Sequence, residues 1–217
     1  MPLLLKVDPH ASLKCHQKLI RKIINDGGII AFPTDTYYGL GANPFNKNAI
    51  RRIFEIKSRQ YSKPLLLLIS SQDQLSELVQ DFSKEANQLI SQFWPAPLTL
   101  VFNAVSTLPD ILTAKTGKVG VRLPGNEWTR RFIETAGSPL TATSANKKNG
   151  ENPKTAQEVL NTFGKKVDLI IDPGPAPGGQ VSTLLDTTVS PPIFLRHGVI
   201  TKKEIASCLK SECNVIS

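Results

Sequence analysis

Residues 31 to 41 read Ala-Phe-Pro-Thr-Asp-Thr-Tyr-Tyr-Gly-Leu-Gly, so an apolar run meets a cluster of hydroxyls where a strand should end. In an α/β layout ligands sit at the carboxyl ends of strands, which makes this segment a candidate substrate cradle. Pro33 stops the ladder, Thr34, Asp35 and Thr36 supply short polar side chains, and Gly39 and Gly41 let the backbone approach a ligand. Taken alone, such a segment is more often an ordinary polar turn, and other segments shift that balance. Lys57-Ser58-Arg59, followed by Lys63-Pro64, gathers three cations between a helix and an apolar strand. Lysine supplies a point charge and arginine a two-pronged fork, a pairing that suits a triphosphate while its α-phosphorus reacts. On a wet surface the same run is simply solvated.

Leu140-Thr141-Ala142-Thr143-Ser144-Ala145-Asn146 runs from a strand into small and hydroxyl-bearing residues, which leaves room for a ligand and offers it hydrogen bonds; a Ser/Thr turn reads the same way. Arg122 sits inside the apolar run Val121 to Pro124. If buried it needs an anionic partner, for which a substrate carboxylate would serve; if at an edge it faces water. Gln180-Val181-Ser182-Thr183 and Leu195-Arg196-His197-Gly198 repeat the pattern of polar groups at one end of an apolar strand. Neither a Gly-x4-Gly-Lys-[Ser/Thr] loop nor a Gly-x-Gly-x-x-Gly turn is present, and the three histidines lack a His-Glu-x-x-His zinc spacing. No Gly-x-Ser-x-Gly elbow presents a serine, so covalent and zinc chemistry are minority readings.

The elements that must carry these groups follow from periodicity. Strands are expected at 3 to 7, 28 to 32, 65 to 69, 98 to 102, 119 to 123, 140 to 143, 169 to 171, 183 to 185 and 193 to 195. Helices are expected at 10 to 25, from Asn46 as cap to about Lys57, at 72 to 93, 126 to 137, 155 to 163 and 201 to 210. Strands interspersed with helices call for one large mixed sheet with flanking helices. Two loops, 146 to 153 and 172 to 180, are candidate lids. A domain boundary near 172 to 180 would leave only about 37 residues, too few for an independent core without metal or disulfide. The 217 residues are 40% hydrophobic and 20% charged, as in a globular protein, and 26 Lys and Arg against 18 acids give a formal charge of +8. That balance suits polyanionic partners, nucleotides or RNA among them, and equally plain solubility. Cys15, Cys208 and Cys213 cannot form a fully paired set, and their spacing is poor for zinc, which suggests reduced cytosolic thiols. No run approaches a membrane span and the N-terminus lacks a signal pattern, so a cytoplasmic location is expected.

Together, Pro33-Thr34-Asp35-Thr36-x-Tyr38-Gly39-Leu40, Lys57-x-Arg59 with Pro64-Leu65, Trp94-Pro95-x-Pro97-Leu98-Thr99, Val121-Arg122-x-Pro124, Ser144-Ala145-Asn146, Ser182-Thr183 and Leu195-Arg196-x-Gly198 resemble the YrdC/TsaC family, the threonylcarbamoyl-AMP synthases. The resemblance implies an open, twisted α/β sheet with a concave basic face, formed as a single domain over 1 to 217 with its core at about 11 to 205, the short form without the C-terminal domain of longer relatives. It also implies conversion of L-threonine, bicarbonate or carbon dioxide, and ATP with Mg2+ into threonylcarbamoyl-AMP and pyrophosphate. A separate threonylcarbamoyl transferase complex would then use the product in tRNA threonylcarbamoyladenosine modification, and tRNA or double-stranded RNA is left open as a direct partner. By the same resemblance Thr34, Arg122, the backbone at Ala142, and Ser182 hold threonine. Lys57, Arg59, Lys63, Ser144, Asn146 and Arg196 hold ATP, with Lys57 and Arg59 as the catalytic pair; no protein metal site is implied. Lys63, Leu68, Lys118 and His197 depart from the family pattern, and the loop 147 to 153 is longer and more basic than usual. The rival readings are a non-catalytic RNA-binding module on the same face and the related domain of hydrogenase-maturation carbamoyltransferases, whose acylphosphatase-like and zinc-finger segments this chain lacks.

Overall fold

A strand buried on both sides shows a continuous apolar run, because successive side chains point to opposite faces and each face needs apolar cover. Ile29 to Phe32 does this: Ile29 and Ala31 enter one core, Ile30 and Phe32 the other. The structure is a computed structural model that describes residues 2–147 and 150–209. In chain order it contains β1 (Leu3–Lys6), α1 (Gln17–Asn25), β2 (Ile30–Pro33), β3 (Tyr38–Gly41), α2 (Lys47–Lys57), β4 (Leu66–Leu68), α3 (Lys84–Phe93), β5 (Leu98–Asn103) and the short α4 (Asp110–Thr113). It continues through β6 (Lys118–Arg122), α5 (Glu127–Ala136), β7 (Leu140–Ser144), α6 (Ala156–Phe163), β8 (Leu169–Asp172), β9 (Thr183–Asp186), β10 (Ile193–Arg196) and α7 (Lys202–Leu209).

The strands form one mixed sheet in the order β1-β8-β2-β3-β7-β4-β6-β5-β9-β10. The pairs β1–β8, β2–β8, β4–β6 and β5–β9 are parallel and the remaining neighbours antiparallel. This is the mixed sheet with flanking helices that the periodicity predicts. Its helices start where the chemistry favours them. The Asn46 side chain accepts from the amides of Asn48 and Ala49 to open α2, whose Ala49, Ile50, Ile53 and Phe54 are buried. Thr155 and Glu158 close a reciprocal capping box on α6.

One face of the sheet is covered by α2, α3, α6 and α7, through residues such as Phe54, Leu89, Val159 and Ile205. On the other face α1 and α5 lay Ile20, Ile24, Phe132 and Ile133 over Ile30, Phe32, Leu68 and Leu169. That cover stops partway across the sheet. Leu68 lies under it, whereas Leu66, two residues earlier on the same face of β4, opens into a cavity with Gly120 and Leu184. The concavity is thus the half of a sheet face that no described helix covers. No described helix is long and apolar enough to cross a membrane.

The structure differs from expectation at four places. Gly39-Leu40-Gly41 is not a loop but part of β3, paired to β2 on one side and β7 on the other. A Cβ on Gly41 would stand 2.6 Å from the Phe32 ring and 2.9 Å from the Thr141 carbonyl oxygen, so packing demands glycine inside a strand. Pro33 ends β2 but still occupies its last rung, opposite Tyr38. The stretch 72 to 93 is two pieces, a 3-10 turn at Gln72–Glu77 and α3, separated where Val79 bridges Ala104. Likewise 10 to 25 divides into a 3-10 turn at Leu13–His16 and α1.

Candidate functional site

The cavity measures about 800 Å³, and its described lining includes five cations, Arg59, Lys63, Lys118, Arg122 and Arg196, against one carboxylate, Asp186. Lys118, Gly120 and Arg122 alternate on β6 and so share its cavity face. A side chain at position 120 would stand 2.6 Å from Leu66 and 3.3 Å from Thr99; glycine keeps the floor low between the two charges.

Arg122 is 6% exposed. Its guanidinium lies 3.3 Å from Asp35 Oδ1, and both side chains are less than a tenth exposed. The water-facing alternative is therefore wrong, and the anionic partner that burial requires is Asp35, from the turn after β2. Asp35 Oδ2 also accepts from the Gly125 amide at 3.3 Å, tying this turn to the end of β6. Arg122 Nε is buried without a partner among the described residues. Burial pulls the Arg122 pKa below its usual value, and Asp35 opposes that shift. Beside it, Arg196 donates from Nε to the Ser182 carbonyl at 3.0 Å and from Nη2 to Ser182 Oγ at 2.9 Å, while Ser182 Oγ lies 3.2 Å from Thr99 Oγ1. Burial, with the neighbouring charge of Arg122, lowers the Arg196 pKa too. Two guanidiniums turned to one cavity, with the charge of Arg122 felt at Arg196, make this end of the cavity suited to an anion. Gly198 places Arg196 there: any side chain at that position would overlap the backbone of Val181 and Ser182.

Thr34 lines the cavity, yet its hydroxyl holds its own turn, donating to the Tyr37 carbonyl at 2.8 Å and accepting from the Thr36 amide at 3.2 Å. The proline- and glycine-rich segment 172 to 180, expected as a lid, is strapped over that turn. Tyr37 Oη donates to the Gly179 carbonyl at 2.6 Å, the Gly178 amide to the Thr36 carbonyl at 2.6 Å, and Tyr38 Oη to the Gly174 carbonyl at 2.7 Å. Desolvation, reinforced by Asp172, pushes the Tyr38 pKa up. In the other expected lid, Lys148 and Asn149 lie outside the described residues. Around them, Asn146 Nδ2 donates to the Gly150 carbonyl at 2.6 Å, and Asn152 lines the cavity.

Lys57 and Arg59 differ in what they can reach. Lys57 is 6% exposed and is not among the described lining residues. Its ammonium donates to the Ser144 carbonyl, to the Asn146 carbonyl at 2.6 Å and toward Asn146 Oδ1 at 3.3 Å. Burial, then the nearby Arg59, brings its pKa down to about 8. Lys57 and Asn146 thus brace the turn after β7, while Ala142 and Ser144 meet the cavity. Arg59 lines the cavity but directs Nε to the Lys63 carbonyl at 3.1 Å and Nη2 to the Pro64 carbonyl at 2.8 Å, leaving Nη1 for a ligand. Lys63 lines the cavity and forms no ion pair with a described residue. Lys118 is held by Asp186 at 2.8 Å. Leu68 lies beneath α5 and His197 stacks on Phe194 at 5.0 Å. Sequence reasoning missed Asp35 as the partner of Arg122, and Asp186 altogether. Both pairings join distant segments, so no local pattern announces them.

The family model Sua5_yciO_yrdC, described as telomere recombination, matches residues 22–198. The threonylcarbamoyl-AMP synthase of Pyrococcus abyssi (strain GE5 / Orsay) is 41% identical over 182 residues, 84% of this chain and 54% of that protein. The threonylcarbamoyl-AMP synthase of Bacillus subtilis (strain 168) is 34% identical over 191 residues, 86% of this chain and 54% of that protein. The structure of P. abyssi Sua5 complexed with L-threonine superposes with a TM-score of 0.88 at 35% identity, covering 96% of this chain and 61% of that one. The chain spans about half the length of these two curated relatives. With its model matched over residues 22–198 and relatives this similar, the chain belongs to the Sua5/YciO/YrdC family.

Proposed function

We propose that this chain is a threonylcarbamoyl-AMP synthase, a nucleotidyltransferase that joins L-threonine, bicarbonate-derived carbon dioxide and ATP. The observation that carries the reading is that Arg122 and Arg196, the latter bonded to Ser182, line one cavity together with a second pair of cations, Arg59 and Lys63. A carboxylate and a polyphosphate can thereby lie side by side. Family membership and the relatives named above support the same activity.

The reaction needs no nucleophile from the protein. The threonine amine adds to carbon dioxide and loses a proton, giving a carbamate. A carbamate oxygen then forms a bond to the α-phosphorus of ATP as the bond to the pyrophosphate oxygen breaks. The protein's task is alignment and charge stabilisation, which can supply much of such a barrier reduction. In this reading Arg122 and Ser182 hold the threonine carboxylate, with Thr34 and the Ala142 backbone around it. Arg59, Lys63, Ser144 and Arg196 face the phosphates, and Lys57 and Asn146 brace the turn that carries Ser144. Magnesium would arrive with ATP; among the described lining residues the one carboxylate, Asp186, is engaged by Lys118 and Thr188. The whole of 1–217 acts as a single catalytic domain, in the cytoplasm, and passes its product to a transferase complex that modifies tRNA. Pyrophosphate release tests the reading: it should require L-threonine and bicarbonate together, and equal release with threonine omitted would exclude it. Binding of RNA without any ATP turnover would instead favour the non-catalytic module.

A further inference from the structure

Arg122 and Arg196 are adjacent, chemically alike and turned to one cavity, yet their surroundings differ. Arg122 has a carboxylate 3.3 Å away in Asp35, and that pair is almost fully desolvated. Arg196 has no carboxylate within ion-pair distance among the described residues; its contacts are the carbonyl and hydroxyl of Ser182. Asp35 does not line the cavity; of its two side-chain partners among the described residues, Arg122 and the Gly125 amide, Arg122 alone does, so the charge of Asp35 bears on a ligand there. Charge at short range and low exposure is weakly screened, and one buried negative charge alters the potential at its partner far more than at a surface site.

We propose that Asp35 is a specificity-determining residue that makes these two arginines unequal, so that Arg122 accepts a singly charged carboxylate and leaves phosphate groups to Arg196. A carboxylate adds one negative charge to a pair already neutral and gains directed hydrogen bonds from the guanidinium edge. A phosphate group of charge near −2 meets the field of Asp35 behind that edge and is disfavoured. At Arg196, which has no described carboxylate within ion-pair distance, the doubly charged group is preferred. Two anions of different charge are thus sorted across neighbouring guanidiniums, which keeps ATP phosphates out of the amino-acid end. The inference rests on the proposed function for the identity of the carboxylate and of the phosphate donor.

The test follows the Nε–Hε NMR resonances of Arg122 and Arg196, assigned through Arg122→Lys and Arg196→Lys, with L-threonine and inorganic phosphate as separate probes. In the parent protein phosphate should move Arg196 and leave Arg122 in place. Asp35→Asn should let phosphate reach Arg122, raising its affinity there about tenfold, the order expected for removing one poorly screened charge, and phosphate should then compete with threonine. Asp35→Glu keeps the charge and should restore the discrimination. Phosphate that perturbs Arg122 equally in the parent and Asp35→Asn proteins overturns the proposal. Should Asp35→Asn not fold, the parent protein alone still decides: phosphate bound at Arg122 more tightly than threonine is contrary to it. Absence of any threonine response in the parent counts against the proposed function, while the phosphate arm continues to decide the role of Asp35.

Discussion

Lys57 brings a charge into a place that water barely reaches, and three oxygen acceptors from Ser144 and Asn146 surround its ammonium. Its pKa of about 8 in the folded protein, against an ordinary 10.5, has a definite sign. Below about 8 the group is protonated whether folded or unfolded, and the full cost of burying the charge opposes folding. Between about 8 and 10.5 the unfolded chain holds more protons, so this group's contribution to stability rises with pH. The difference in urea midpoint between the parent and Lys57→Met should therefore move in the parent's favour across that window; a constant difference would show that Lys57 does not titrate there. In the proposed reaction Arg59 belongs to the reacting end. Arg59→Ala should lower turnover by about 3 kcal/mol, the order of one preorganised charge-stabilising contact, with a much smaller change in threonine affinity. Steady-state kinetics combined with a threonine titration checks this, and unchanged turnover removes Arg59 from the site.

Two glycines decide whether strands can lie where the site needs them. Gly41→Ala should cost about 1–3 kcal/mol, as overpacking does, because the new methyl meets the Phe32 ring and the Thr141 carbonyl. Urea unfolding should show a lower midpoint with an unchanged slope. At Gly198 the obstacle is backbone, so Gly198→Ala must push the end of β10 away from Val181 and Ser182, taking Arg196 with it. ATP binding measured by calorimetry should weaken, and an unaltered ATP affinity would mean that this crossing does not set the guanidinium. Much of the sheet was legible because strands such as β2 and β8 are buried on both faces and show apolar runs. Helix α2 was legible from Asn46 and its stripe. The strand β3 was not, since Tyr-Gly-Leu-Gly carries turn-forming glycines that only tertiary packing explains. Nor was the break after Glu77, where Leu78 and Val79 continue an apolar helical pattern while Val79 pairs with Ala104. At the site, the sequence pointed to Arg122 as a cation needing an anion, but the anion on the neighbouring turn emerges only when β2 and β6 are brought into one sheet.

The molecule places its chemistry on ground that its helices leave open: α1 and α5 cover one part of a sheet face, and the remainder becomes the cavity floor. This division sets an expectation for ionic strength. The Arg122 end is buried with Asp35, whereas Lys63 stands unpaired among described residues on the rim, and exposed charges are screened more strongly. Raising salt should increase the KM for ATP more than the KM for threonine; equal sensitivity would contradict the assignment of phosphates to the rim. In the proposed reaction one cavity aligns three substrates whose own atoms do the bonding. Incubation with 13C-bicarbonate, L-threonine and ATP, followed by mass spectrometry, tests it most directly. The expected product is threonylcarbamoyl-AMP carrying one 13C atom, formed together with pyrophosphate; ATP consumed without that labelled product, or consumed equally when threonine is left out, would contradict it.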